Sequence, residues 1–233
     1  MAIITFAHRG GMGDRPENSM SAFRDALARG ATGLESDVRL SGDGVAVLVH
    51  DKAIWKRGLR KTVAKMSAGS MTASGVVSLQ GLYEELGCDF ELSLDLKDQD
   101  AARVCIETAR AIDDAAVKRL WLVDTTLERL HAIRELDPSV RTVLSTRFAR
   151  IESDLERLAS DMAAGRVDAV NLPASEWNKG VVAMFHRFDI LAFGWDAQEE
   201  RQIRRALSIG LDAIYSDWVD RLVGVTAEWT DTD

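Results

Sequence analysis

Glu35 and Asp37, two positions apart in GLESDVRL, are the first residues in the chain whose types and spacing could do chemistry. Side chains alternate along an extended segment, so both carboxylates leave the same side. Turned inward together they repel each other unless a cation or a basic partner lies between them. FELSLDLK repeats the arrangement: Phe90, Leu92, Leu94 and Leu96 form an apolar face, and Glu91, Ser93, Asp95 and Lys97 form a polar one. Asp95 can supply a third oxygen ligand to a hard cation, and Lys97 a positive charge for a phosphate. Glu91 lies deeper along the segment and reads as structural.

Two histidines have comparable positions. His8 ends the apolar run IITFAH, beside Arg9 and a glycine-rich exit, GGMG, that fits neither the dinucleotide fingerprint nor the phosphate-binding loop. His50 ends VAVLVH and is followed by Asp51, which can orient its imidazole or cap the next turn. SGDG between two apolar runs reads as a hairpin turn that folds VAVLVH back and returns His50 to the neighbourhood of the carboxylates. His131 and His186 fall within helical patterns and read as surface or packing residues.

Positioning these groups requires several strands with their carboxyl ends on one side. Apolar, β-branched runs at 3–8, 33–40, 90–97, 117–124, 140–146, 167–173, 190–196 and 211–217 make eight candidate strands separated by helical patterns. That rhythm is the pattern of a single (β/α)8 barrel, and one domain over residues 1–233 suffices. It breaks only after the second strand, where residues 51–78 read as a short insertion near the barrel mouth. Ser19 is a candidate helix cap and Gly30 a helix stop, while the terminal TAEWTDTD reads as frayed or loosely docked.

The balance of 29 Lys and Arg against 37 Asp and Glu, a net charge of -8, argues against a general nucleic-acid surface. Cys88 and Cys105 show no metal-ligand spacing and read as reduced structural thiols. Neither a basic leader nor a long apolar run is present, so a cytoplasmic protein without stable membrane insertion is expected. The insertion offers Ile54, Trp55, Leu59 and Met66 as an apolar rim, too few for membrane docking.

Taken in order, AHRGG, PENS, GLESDVRLSGDGVAVLVHD, LSLDLK and a late FGW resemble the glycerophosphodiester phosphodiesterase family almost end to end. The resemblance implies a (β/α)8 barrel that hydrolyses glycerophosphodiesters to glycerol 3-phosphate and an alcohol. It implies His8 and His50 as general acid and base, without saying which is which. By the same resemblance Glu35 and Asp37, with Asp95, would bind one divalent cation, Mg2+ or Ca2+. Arg9 and Lys97 would contact the phosphate, Glu17 and Asn18 would support those groups, and Trp195 would pack against the alcohol part of the substrate. Asp95 departs from the glutamate usual in the family, a shorter reach that bears on metal preference. A phospholipase of lysophospholipids or phosphoinositides, and a barrel that binds a phosphorylated ligand without turnover, are the competing expectations.

Overall fold

A computed structural model describes residues 3–56 and 58–230. Eight parallel strands follow the expected runs: β1 (Ile4–Ala7), β2 (Gly33–Leu40), β7 (Glu91–Leu96), β8 (Leu120–Asp124), β9 (Arg141–Ser145), β10 (Ala169–Pro173), β11 (Leu191–Trp195) and β12 (Ala213–Ser216). Each pairs with the next, and β1 pairs with both β12 and β2, which closes the sheet into the (β/α)8 barrel expected from the repeat. The run at 117–124 is shorter as a strand than its apolar pattern suggests. Asp113 caps a short helix, α5 (Asp114–Lys118), by accepting a hydrogen bond from the Ala115 N–H, and the strand starts only at Leu120.

Closure divides the apolar side chains into two sets. Phe6, Trp121, Val143, Phe193 and Tyr215 fill the barrel interior, with the Phe6 and Tyr215 rings stacked 4.6 Å apart. Leu34, Val38, Leu92, Leu94 and Leu96 instead face outward beneath the helices. The alternation inferred for the third barrel strand is therefore observed: Ser93 Oγ lies 3.1 Å from Tyr215 Oη inside the barrel, and Glu91 accepts a 2.6 Å hydrogen bond from Trp121 Nε1. Glu91 thus has the structural role assigned to it.

Residues 41–44 form the expected tight turn, with Gly44 at φ 79°, and β3 (Ala46–Leu48) returns antiparallel to β2. The segment beyond it contains more structure than a cover loop. A two-stranded hairpin, β4 (Ala53–Lys56) and β5 (Leu59–Thr62), is followed by α2 (Ala68–Thr72) and by β6 (Val77–Ser78), which pairs with β3. Val47, Val63, Met66, Ala68 and Met71 give this segment a small core of its own.

Correction is also needed at the carboxyl end. The last helix, α10 (Val219–Thr230), extends through most of the segment read as frayed, because Val225 and Thr226 are buried against the barrel. Cys88 and Cys105 are both free thiols. His131 sits in α6 (Leu127–Leu136) against Gly165, where an added Cβ would lie 1.8 Å from its Nε2, and His186 pairs with Asp212 at 2.8 Å.

Candidate active site

The chain leaves β1 in a tight 3-10 turn, His8–Gly10, with Arg9 at φ 49° and Gly11 at φ 90°. This path turns His8 and Arg9 back over the barrel mouth instead of outward. Gly11 permits it twice over, since its backbone is left-handed and a Cβ there would lie 2.6 Å from Val219 Cγ2. Asn18 N–H donates to Arg9 O at 2.9 Å, and the Asn18 side chain accepts from Ser36 Oγ at 2.7 Å. Ser36 lies between the two carboxylates of β2, so PENS is tied to both site-bearing strands. Glu17 completes that support by accepting from Arg9 Nη1 at 2.6 Å.

Glu35 and Asp37 are both buried at the mouth, as alternation requires. Register places Asp37 beside Asp95, and Glu35 beside Ser93, on β7. The Glu35 carboxylate accepts the Arg9 N–H at 2.9 Å and lies 3.7 Å from His8 Nε2. Asp37 is 3.1 Å from Arg9 Nε and 2.9 Å from Lys97 Nζ, and the same Lys97 Nζ reaches Asp95 at 2.6 Å. Arg9 and Lys97 therefore supply the positive partners that two inward acidic groups need.

His8 has a partner that reading the sequence missed. Its Nδ1 lies 2.5 Å from Asp217 Oδ1, just beyond the end of β12. Burial works against the imidazolium, but Glu35 and Asp217 outweigh it and raise the His8 pKa above its ordinary value. For Glu35 burial dominates and pushes the carboxyl pKa up; Asp37 and Asp95 add repulsion, against the pull of His8 and of the Arg9 N–H. The available signal for Asp217 was its place at the carboxyl end of the last strand, which closure sets beside the first.

A cavity of about 410 Å3 lies over these groups, bounded by His8, Glu35, Asp37 and Lys97 on one side and by Asn171, Trp195 and Gln198 on the other. Trp195 carries the Arg147 guanidinium 4.8 Å above its ring, while its Nε1 and Asn171 Oδ1 are buried without a protein hydrogen-bond partner. Of the expected site residues, His8, Arg9, Glu35, Asp37, Asp95, Lys97 and Trp195 all line this cavity. His50 does not; its exposed imidazole pairs with Asp51 at 3.0 Å, and its carbonyl accepts from Arg39 Nε at 2.9 Å.

Whether the carboxylates suit a divalent cation can be judged from their surroundings. Glu35, Asp37 and Asp95 are hard oxygen donors, and the first two are buried together at the mouth. Among the described residues, however, no three His, Cys, Asp or Glu side chains are gathered as a ready metal cage. Asp95 Oδ2 is instead paired with Lys97 Nζ at 2.6 Å. The donors fit in type, with Glu35 and Asp37 the better placed pair.

Fold and site together define a class: (β/α)8 barrels that gather carboxylates, a histidine and basic side chains at the carboxyl ends of their strands. A family model, the glycerophosphoryl diester phosphodiesterase family, matches residues 8–80. A glycerophosphodiester phosphodiesterase of Bacillus altitudinis is 28% identical over 96% of this chain and 98% of its own length. A glycerophosphodiester phosphodiesterase from Thermotoga maritima has the same fold, with a TM-score of 0.82 at 22% identity over 97% of this chain and 99% of its own. An Oleispira antarctica phosphodiesterase solved with the product sn-glycerol-3-phosphate has a TM-score of 0.82 at 18% identity, over 96% of each chain. The chain is thus similar to the glycerophosphoryl diester phosphodiesterase family model over residues 8–80, and to a glycerophosphodiester phosphodiesterase over nearly its whole length.

Proposed function

We propose that the chain hydrolyses glycerophosphodiesters to glycerol 3-phosphate and an alcohol in the mouth cavity. The observation that carries this reading is the His8–Asp217 pair, which directs a histidine nitrogen toward the carboxylates and cations of strands β2 and β7. Asp217 engages Nδ1 and leaves Nε2 to exchange a proton with a reacting oxygen. Arg9 and Lys97, now paired with carboxylates, are the groups placed to bind phosphoryl oxygens. The unpartnered Trp195 Nε1 and Asn171 Oδ1, across the cavity, offer a donor and an acceptor to glycerol hydroxyls. Trp195 also supplies an apolar face for the alcohol part of the substrate.

A divalent cation, magnesium or calcium, held by Glu35 and Asp37 with Asp95 would draw off charge that grows on the phosphoryl oxygens. His50 is the second proton carrier in this proposal; its side chain must turn from Asp51 toward the mouth when substrate is bound.

Release of glycerol 3-phosphate from glycerophosphocholine tests the reading. His8→Ala and His50→Ala should each lower kcat/KM by about 100-fold or more. Near wild-type turnover in either variant removes the paired-histidine mechanism, and metal binding with no turnover of any diester leaves a ligand-binding barrel. Chelation should abolish turnover, with recovery on adding magnesium or calcium; turnover indifferent to chelator would remove the cation.

A further inference from the structure

The hairpin β4–β5 stands out from the rest of the molecule in charge and exposure. From Lys52 to Tyr83 the sequence contains six Lys and Arg and no Asp or Glu, in a chain whose net charge is -8. All six fall between Lys52 and Lys65 in the sequence. Trp55 and Leu59 are the most exposed large apolar side chains among the described residues, at 75% and 61%. The other two members of the apolar rim are withdrawn: Ile54 and Met66 pack into the core of the insertion.

Pairing within the hairpin sets Trp55 opposite Arg60 and Lys56 opposite Leu59. Adjacent positions alternate, so Trp55 and Leu59 leave opposite faces of the same tip. An aromatic surface that stacks bases would use Trp55 alone and leave Leu59 in water. Both are removed from water together only by a medium that surrounds the tip. On the Leu59 side, Lys56, Lys61, Lys65, Ser67 and Ser70 bound a depression of about 460 Å3. Lys56 Nζ donates to Ser70 Oγ at 2.6 Å, which fixes one of its cations in place.

We infer that the β4–β5 hairpin docks the protein reversibly on anionic phospholipid surfaces, with Trp55 and Leu59 entering the interface and the surrounding Lys and Arg side chains meeting lipid phosphates. An apolar tip inside a collar of cations is the combination that binds such a surface without spanning it. No helix among the described residues is long and apolar enough to cross a membrane. At such a surface the cations act together with the apolar tip.

The hairpin also adjoins the site. It starts directly after His50 and Asp51, and Asp51 lies within electrostatic reach of both Arg60 on the hairpin and Arg9 at the mouth. Docking therefore brings the mouth near the phosphodiesters of the lipid layer. The inference stands apart from the hydrolytic proposal, because binding is read without turnover.

Co-sedimentation of the whole chain with vesicles of phosphatidylcholine alone, or with phosphatidylglycerol mixed in, tests it. Binding should favour the anionic vesicles and fall as salt is raised. Lys61→Glu with Lys65→Glu should lower the partition coefficient by about tenfold or more. Trp55→Ser with Leu59→Ser should weaken it at least severalfold, with thermal unfolding and turnover of glycerophosphocholine unchanged. Equal binding to both vesicle types, no binding to either, or insensitivity to the apolar double variant would overturn the inference. So would tighter, variant-sensitive binding to a single-stranded oligonucleotide, which would assign the surface to nucleic acid.

Discussion

His8 performs its proposed role only because Asp217 fixes one of its nitrogens. A neutral imidazole has one donor and one acceptor, and a carboxylate 2.5 Å from Nδ1 decides which nitrogen is left for chemistry. Asp217→Asn should keep the packing but weaken that choice, lowering kcat/KM by about 100-fold. The variant also has a signed effect on pH dependence. Asp217 contributes to the raised pKa of His8, so its neutral replacement should move the limb of the rate profile that reports His8 to lower pH. A profile that fell in amplitude without moving would assign that limb to another group. Asp95 poses the complementary question, since Lys97 occupies it at 2.6 Å. Asp95→Glu, which lengthens the side chain by one methylene, should alter the relative activation by magnesium and calcium while leaving the unfolding temperature close to wild type.

At the level of elements, the exit from β1 is the connection on which the site depends most. Gly11 is left-handed and in contact with Val219 at the start of α10, so the turn that aims His8 is packed against the last helix of the barrel. Gly11→Ala meets both a backbone penalty and a clash, and should cost more than about 1 kcal/mol in chemical unfolding. Adding Val219→Ala should recover the steric part but not the backbone part. Full recovery would mean that φ at residue 11 carries no strain. Much of this region was open to inspection in advance: the ordered motifs of the first 51 residues placed Glu35 and Asp37 on β2, and His8 at the end of β1, where it begins the 3-10 turn one residue past the strand. The insertion was less readable. Its hairpin and α2 are short, and its core residues Val63, Met66 and Met71 are too scattered to show a period.

For the molecule as a whole, the barrel interior is a packed column of rings and branched side chains. Phe193 is fully buried there, with its ring 5.0 Å from that of Trp121 and 6.2 Å from that of Tyr215. Phe193→Ala should therefore cost about 3–5 kcal/mol by chemical denaturation. A loss below about 1 kcal/mol would show that the interior collapses around the gap. The sequence by itself determined the eight strands, from apolar runs at a βα spacing, and the faces of the second and third of them with their inward carboxylates, from the alternation of neighbouring side chains. Which groups meet across the mouth was decided by closure of the sheet. His8 and Asp217 are 209 positions apart and become neighbours only when β12 pairs with β1. Likewise Lys97 stands between Asp37 and Asp95 because of the register of β2 against β7. Local periodicity carries no record of such contacts, since they are fixed by pairing between distant strands.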